Sequence, residues 1–485
     1  MRSADIVLKI HQERGSKKLP LERVYKHLFN PELFLAAYGK IYRNDGAMTK
    51  GVTSETVDAM SLEKIQKITD LLRQEKYRWT PVRRTEIPKA NGKTRPLGIP
   101  SWGDKLVQEA LRTLLEAYYE PRFSGHSHGF RLNRGCHTAL KEIQKTWKGT
   151  VWFIEGDIKG CFDNIDHSVL LDIIRRDIHD ERLIRLIHEL LEAGYMEDWH
   201  YHDTYSGTPQ GGIISPLLAN IYMNELDRFV EDTLIPDYTM GERRKADKQH
   251  QLWTGRIRKA RQRGNLELAK KLDQERRRFP SGDMFDPDYR RLRYIRYADD
   301  FLLGYVGSKK EAEEIRERLA EFLSEKLKLT LSKEKTVITH AVDEKASFLG
   351  YEINVLRRND LISENGQRAT NGRISLLMPH AVVQKFRSQY SRNGKVIHRK
   401  ELVQDEVFTI IQTYQSILRG IYNYYCMATN VAKRMIKIKW YLEISLTKTL
   451  AHKLRCKVSD VCKKYRTEVD GYKVIQVVIE RPDQK

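Results

Sequence analysis

The chain has 485 residues, too many for one ordinary hydrophobic core, so roughly two to four domains or subdomains are expected. A hydrophobic fraction of 40% with a mean hydropathy of −0.60 fits real cores in a soluble protein, and no uninterrupted apolar run is long enough to cross a bilayer, so no membrane partner is expected. The formal charge of +21 attracts polyanions at long range, which makes nucleic acid the expected partner class. The N-terminal MRSADIVLKIHQERGSKK has no apolar signal-peptide core, so a cytoplasmic (bacterial) location is expected, with organellar import left open. Cys136, Cys161, Cys426, Cys456 and Cys462 form no C-x-x-C pair, which argues against structural zinc and a disulfide framework.

In chain order, residues 1–80 read as helical: VYKHLFNPELFLAAYGKIYRN and SLEKIQKITDLLRQ carry apolar residues at helical spacing around a loop, NDGAMTKGVTSETV. VRRTEIPKANGKTRPLGIP predicts a β-hairpin turning at Asn91-Gly92, and DKLVQEALRTLLEAYYEPRF an amphipathic helix. VWFIEGDIKGCFDNI is a buried-type strand entering a turn; HSVLLDIIRR and ERLIRLIHELLEAG are helices. GTPQGGIISPLLANIYMNELDRFV is a glycine-rich loop opening a helix. Residues 241–280 hold 14 Lys/Arg against 5 Asp/Glu and look like an inserted helical arm, either an idle charged surface or an RNA contact. RLRYIRYADDFLLGYV is two strands around a tight turn; KKEAEEIRERLAEFLSEKLKL is a helix; LTLSKEKTVITH and ASFLGYEINVL are strands. From about residue 375 the pattern is mostly helical, and residues 381–464 carry 17 Lys/Arg against 5 Asp/Glu.

Asp157 ends one predicted strand, and Asp299 and Asp300 occupy the turn of a predicted hairpin. Acids set between apolar strands are costly to place without cations, and hard oxygen ligands on rigid strand ends suit a pair of divalent ions. These residues and their neighbours resemble the reverse transcriptases of the group II intron maturase type. Tyr297-Ala298-Asp299-Asp300 is similar to their YxDD box, FIEGDIKGCFDNIDH to the motif carrying their first metal-binding aspartate, and GTPQGGIISPLLANIYMNELD to their PQG motif. PKANGKTRPLGIP with the helix after it resembles their fingers motifs, SFLGYEI the motif leading into the thumb, and LRGIYNYYCMATN their Tyr-rich thumb helix.

The resemblance implies an RNA-directed DNA polymerase that copies intron RNA into cDNA by two-metal nucleotidyl transfer and binds that RNA as a maturase, assisting splicing and intron mobility. Asp157, Asp299 and Asp300, with the Ile158 carbonyl, would bind two Mg²⁺ ions, Mn²⁺ being a substitute. Phe162 would exclude a ribose 2′-hydroxyl, and Gln210 and Gly211 would meet the incoming dNTP. Lys89 and Arg95 would clamp its triphosphate, with Lys93 an alternative to Lys89. Lys335 is either a lysine near the leaving pyrophosphate or an exposed residue without a role. Arg243, Arg244, Arg256, Arg258, Arg419, Tyr422, Asn423 and Tyr424 are candidate RNA contacts; for Tyr422 and Tyr424 helix-bundle core is the equal alternative.

The expected fold is α+β, a right-hand polymerase. It comprises an N-terminal extension (1–80), fingers and palm (81–355, with a basic insertion about 236–290), a mostly α-helical thumb or maturase domain (356–470) and a tail (471–485) without an endonuclease domain. Group II intron RNA, an RNA template with DNA primer or target DNA, and dNTPs are the expected partners of a monomer or dimer. A splicing-only maturase with a dead polymerase, and an intron-free enzyme of the same type, remain the alternatives.

Overall fold

The computed structural model describes residues 2–88, 92, 94–197, 200–207, 211–277, 279–283, 286–332, 334, 336–357, 371–469 and 471–477. They divide into two compact units, residues 1–139 with 150–339, and residues 140–149 with 340–485.

The first unit opens with α1 (Ala4–Ser16), β1 (Leu21–Glu22), α2 (Pro31–Ile41) and α3 (Leu62–Arg73). The helical spacing over residues 24–44 is divided between two elements. Asn30 leaves helical geometry to accept the Glu32 N–H with its side chain, and Pro31 starts α2, so Tyr25–Phe29 form only a 3₁₀ turn. β2 (Val82–Pro88) and β3 (Thr94–Ile99) pair antiparallel as the expected hairpin, whose Asn91 lies outside the described residues. α4 (Trp102–Tyr119) follows, capped by Ser101. Asp104 of its first turn is buried and accepts bonds from Tyr77 (2.6 Å), Ser101 (2.7 Å) and the Thr80 N–H (3.2 Å).

The chain continues through α5 (Cys136–Thr146), β4 (Trp152–Asp157), α6 (His167–Asp177), β5 (Ile178–His179), α7 (Glu181–Leu191), β6 (Tyr195–Glu197), β7 (His200–His202) and α8 (Ser215–Phe229). After α9 (Ile235–Asp237), α10 (Lys248–Gln262) and α11 (Leu266–Arg276) form a helical hairpin with its own small core of Ile257, Ala260, Ala269 and Leu272. β8 (Arg291–Tyr297), β9 (Asp300–Val306), α12 (Lys309–Leu327) and β10 (Ile338–His340) complete the site-bearing region.

Two four-stranded sheets organise this unit, in orders β10-β4-β9-β8 and β3-β2-β6-β7. In the first, β9 is central and buried along almost its whole length, which is why it reads as a continuous apolar run rather than an alternating one. Leu111 and Leu114 of α4, Ile184 and Ile187 of α7, Leu218 and Tyr222 of α8, Phe301 and Leu303 of β9, and Ile315 and Leu319 of α12 share one core.

The second unit starts with the antiparallel β11 (Ala346–Phe348), β12 (Tyr351–Val355) and β13 (Ile374–Leu377). It continues with α13 (His380–Tyr390), the short hairpin β14 (Ser391–Arg392) and β15 (Lys395–Val396), the helices α14 (Val407–Tyr425), α15 (Val431–Leu454) and α16 (Val458–Tyr465), and the hairpin β16 (Arg466–Val469) and β17 (Tyr472–Ile475). Helix and sheet are thus mixed, as the α+β expectation holds. No described helix is long and apolar enough to cross a membrane.

Candidate active site

β4 and β9 pair so that Asp157 stands directly opposite Asp300. Directly opposed residues of an antiparallel ladder project from the same face with Cβ atoms about 5 Å apart. Past Asp157 the strand continues as a bridge between Ile158 and Leu331, in which Lys159 N–H donates to Thr330 O (3.0 Å) and Ser332 N–H to Asp157 O (2.9 Å). In that pattern the peptide groups of Ile158 itself point to the other edge, where β9 lies. Tyr297 pairs with Asp300, which leaves Ala298-Asp299 as a two-residue loop. Ala298 has φ +59° at the first loop position, where such hairpins normally carry glycine.

That turn is held from behind. Gly129 packs so closely that a Cβ there would lie 2.4 Å from the Ala298 nitrogen. Arg296, fully buried, donates to Ala298 O (2.8 Å), Asn220 Oδ1 (3.1 Å), Ser127 Oγ (2.9 Å) and both carboxylate oxygens of Asp227 (2.7 and 2.6 Å). Burial disfavours the Arg296 charge, but the Asp227 carboxylate outweighs this and raises its pKa.

The turn after β4 carries Phe162 in a 3₁₀ element, Cys161–Asp163, entered through left-handed Gly160. Phe162 is half-buried and meets the Phe130 ring edge-on at 6.2 Å. Burial pushes the neighbouring Cys161 thiol up to about 12, and the charges of Asp299, Asp163 and Asp157 act in the same direction, with Arg296 opposing. One buried sulfur therefore senses carboxylates from both motifs.

The loop ahead of α8 links this turn to the β2–β3 hairpin. Ser206 Oγ donates to Asp163 O (3.0 Å), Gly207 N–H donates to Ile165 O (2.8 Å), and His167 Nε2 donates to Gly207 O (2.7 Å). At its other end Gly211 takes φ +103° beside β3, where a Cβ would fall 2.5 Å from Gly98 O, so only glycine fits. Buried Gln108 of α4 accepts the Ile213 N–H (2.8 Å). Arg95 is exposed on β3, opposite Ile87. Lys89, Lys93, Gln210 and Lys335 lie outside the described residues.

Among the described residues no three His, Cys, Asp or Glu side chains form a group that could hold a metal ion. The candidate RNA contacts fall in two places. In the first unit, Arg243, Arg256 and Arg258 are exposed, Arg256 lies over the Trp253 ring (5.3 Å) and half-buried Arg244 over Tyr289 (5.2 Å). In the second, Arg419, Tyr422 and Asn423 are exposed on α14. Tyr424 is exposed as well, and its hydroxyl donates to Leu349 O (2.8 Å), bracing the turn between β11 and β12 together with Tyr425, which donates to Gly350 O (3.2 Å). Sequence reasoning missed Arg296, Asp227, Asn220 and Ser127. The one signal for them was an arginine, Arg296, set between Ile295 and Tyr297 next to the acidic turn.

Residues 87–353 match the family model described as "Reverse transcriptase (RNA-dependent DNA polymerase)", and residues 373–480 match "Type II intron maturase". The chain is 42% identical over 465 residues to the group II intron-encoded protein LtrA of Lactococcus lactis subsp. cremoris, covering 92% of this chain and 77% of LtrA. It is 36% identical over 453 residues to the putative COX1/OXI3 intron 1 protein of Saccharomyces cerevisiae, covering 90% of this chain and 54% of that one. It is also 36% identical over 486 residues to an uncharacterized 91 kDa protein in the cob intron of Schizosaccharomyces pombe, covering 97% and 60%. The chain belongs to the reverse transcriptases encoded by group II introns, RNA-directed DNA polymerases that carry a type II intron maturase domain.

Proposed function

We propose that Asp157, Asp299 and Asp300, with the Ile158 carbonyl, hold two divalent cations, Mg²⁺ in the first instance, at which a dNTP is joined to a primer 3′-end on an RNA template. The observation that carries this is the cross-strand register of Asp157 and Asp300, with Asp299 on the adjoining turn. Two carboxylates so opposed repel one another, and cations between them relieve that repulsion. Mg²⁺ keeps several waters and binds through one or two carboxylates plus substrate phosphates, so it does not need a closed cage of protein ligands. When bound, the ions supply a more acidic primer hydroxyl and neutralise charge on the triphosphate.

The protein's own residues do the positioning. Phe162, wedged beside Phe130, limits room at the sugar's 2′ position. Gly211 lets the glycine-rich loop approach β3, and Arg95 on that strand attracts the triphosphate, with Lys89 or Lys93 as further cations. In this reading residues 81–355 are fingers and palm, residues 1–80 an N-terminal extension and residues 356–470 a thumb or maturase domain. Exposed Arg243, Arg256 and Arg258 of the helical arm, and Arg419, Tyr422 and Asn423 of α14, bind intron RNA through phosphate contacts and stacking.

Fe²⁺ with ascorbate and peroxide tests the cation site without requiring turnover. Backbone cleavage beside residues 157 and 299 that Asp300→Asn removes supports the assignment; cleavage at neither position overturns it.

A further inference from the structure

Arginine has five N–H donors, and every one of those of Arg296 is used: three on Asp227 and Ser127, one on Asn220, one on the carbonyl of Ala298. Asp227 and Asn220 lie on α8, Ser127 on the segment leading to Gly129, and Ala298 in the aspartate turn. Both side chains of the Arg296–Asp227 pair are fully buried. A buried ion pair is a weak device for stability, because an apolar pair of similar volume often serves as well. What an apolar pair cannot supply is a fork that fixes several acceptors at once.

One of those acceptors is special. Ala298 sits at φ +59°, a region alanine avoids, and the residue after it is Asp299. Something must hold the carbonyl of Ala298 for that conformation to persist. Asn220 contributes from a second direction, since its Nδ2 donates to Gly129 O (2.8 Å), the residue packed against the Ala298 nitrogen. The backbone of Arg296 is itself fixed, its N–H donating to His126 O (2.9 Å) and its carbonyl accepting from His128 N–H (2.9 Å).

We propose that Arg296 is a positioning residue for nucleotide transfer: anchored on α8 by Asp227 and Asn220, it clamps the Ala298 carbonyl and so sets where the Asp299 carboxylate stands. This rests on the cation-site reading of Asp299 above. The same α8 begins at the glycine-rich loop, so the strut ties the turn to the helix that follows the candidate nucleotide-binding segment.

The test uses the full chain with Arg296→Lys, which keeps a charge opposite Asp227 but cannot span both Asp227 and Ala298. Three quantities are read: primer–template affinity, the single-nucleotide addition rate, and Fe²⁺ cleavage beside residue 299. The expected result is an addition rate lower by on the order of 100-fold, the cost typical of a misplaced reacting group, with affinity within about 2-fold and weaker cleavage at 299 than at 157. Adding Ala298→Gly should recover about 10-fold in rate, because glycine holds positive φ without a tether. A rate within about 3-fold of wild type, or a loss that Ala298→Gly leaves unchanged, overturns the proposal. If Arg296→Lys does not fold, the isosteric Asp227→Asn is read in the same way, and unfolding of both assigns the network to stability alone. Wild-type protein without cleavage at 157 or 299 instead contradicts the cation site itself.

Discussion

Asp157 and Asp300 face each other across the β4–β9 ladder, on one side of the sheet. Directly opposed like charges destabilise a ladder by a few tenths to about 1 kcal/mol. In EDTA, Asp300→Asn is therefore expected to stabilise the fold by that amount, and added Mg²⁺ to stabilise the wild type more than the variant. Urea unfolding with and without Mg²⁺ measures both. A variant less stable than wild type in EDTA contradicts the repulsion.

Arg296 and Asp227 give the opposite expectation for stability. Asp227→Ala leaves a guanidinium buried without its counter-charge and should cost about 3–5 kcal/mol in urea unfolding. A loss under about 1 kcal/mol would mean that water or a rearranged neighbour replaces the carboxylate.

Much of the site was legible because its chemistry is local in sequence. Asp157 at a strand end, Asp299-Asp300 at a turn and the start of the strand after it, and the glycines of the α8 loop announce themselves by residue type; the β2–β3 hairpin follows from alternation around turn residues and the β8–β9 hairpin from an apolar run after a tight turn. What failed to show has physical causes. LTLSKEKTVITH reads as one strand, yet its described residues form only a bridge at Leu331 and the short β10, because its pairing is dictated by β4. The β6–β7 hairpin has three residues per strand, and β6 joins β2 in parallel, a pairing that no local pattern encodes. The bond from the hydroxyl of Tyr424, a candidate RNA contact, to Leu349 in a distant strand turn is likewise encoded by no local pattern. The Arg296 network draws on Ser127, Asn220, Asp227 and Ala298, which only the tertiary fold assembles.

His11 supplies a pH dependence. Burial lowers its pKa from 6.5 to about 4, the bond to Leu114 O (3.2 Å) opposing and nearby His27 and Arg14 reinforcing the shift. The fold thus prefers neutral His11, while the unfolded chain takes up a proton below about pH 6.5. Stability from this group is complete above that pH and is lost as pH falls towards 4, by about 3 kcal/mol in all. His11→Gln should flatten that part of the pH profile. An unchanged slope would assign the acid sensitivity to other groups.

Phe162→Val should let rNTPs into the product, raising rNTP use relative to dNTP by on the order of 100-fold if the ring blocks a 2′-hydroxyl, with dNTP incorporation reduced much less. Competition assays with a single templated nucleotide measure the ratio. Unchanged discrimination would leave Phe162 as a packing residue beside Phe130.

Arg256→Ala with Arg258→Ala on the arm should weaken RNA binding and lower the slope of log affinity against log salt by about 1 for each phosphate no longer neutralised. Filter binding across a salt series checks this. An unchanged slope would make the arm a solvated surface.

The most direct measurement is primer extension on an RNA template with dNTPs and Mg²⁺, wild type against Asp299→Ala, with intron RNA binding followed alongside. Full-length cDNA from the wild type and none from the variant, with RNA affinity equal in both, is the predicted result. Extension by Asp299→Ala at the wild-type rate would contradict the assignment of the carboxylates, and extension by neither protein, with tight RNA binding by both, would point to a maturase whose polymerase site is vestigial.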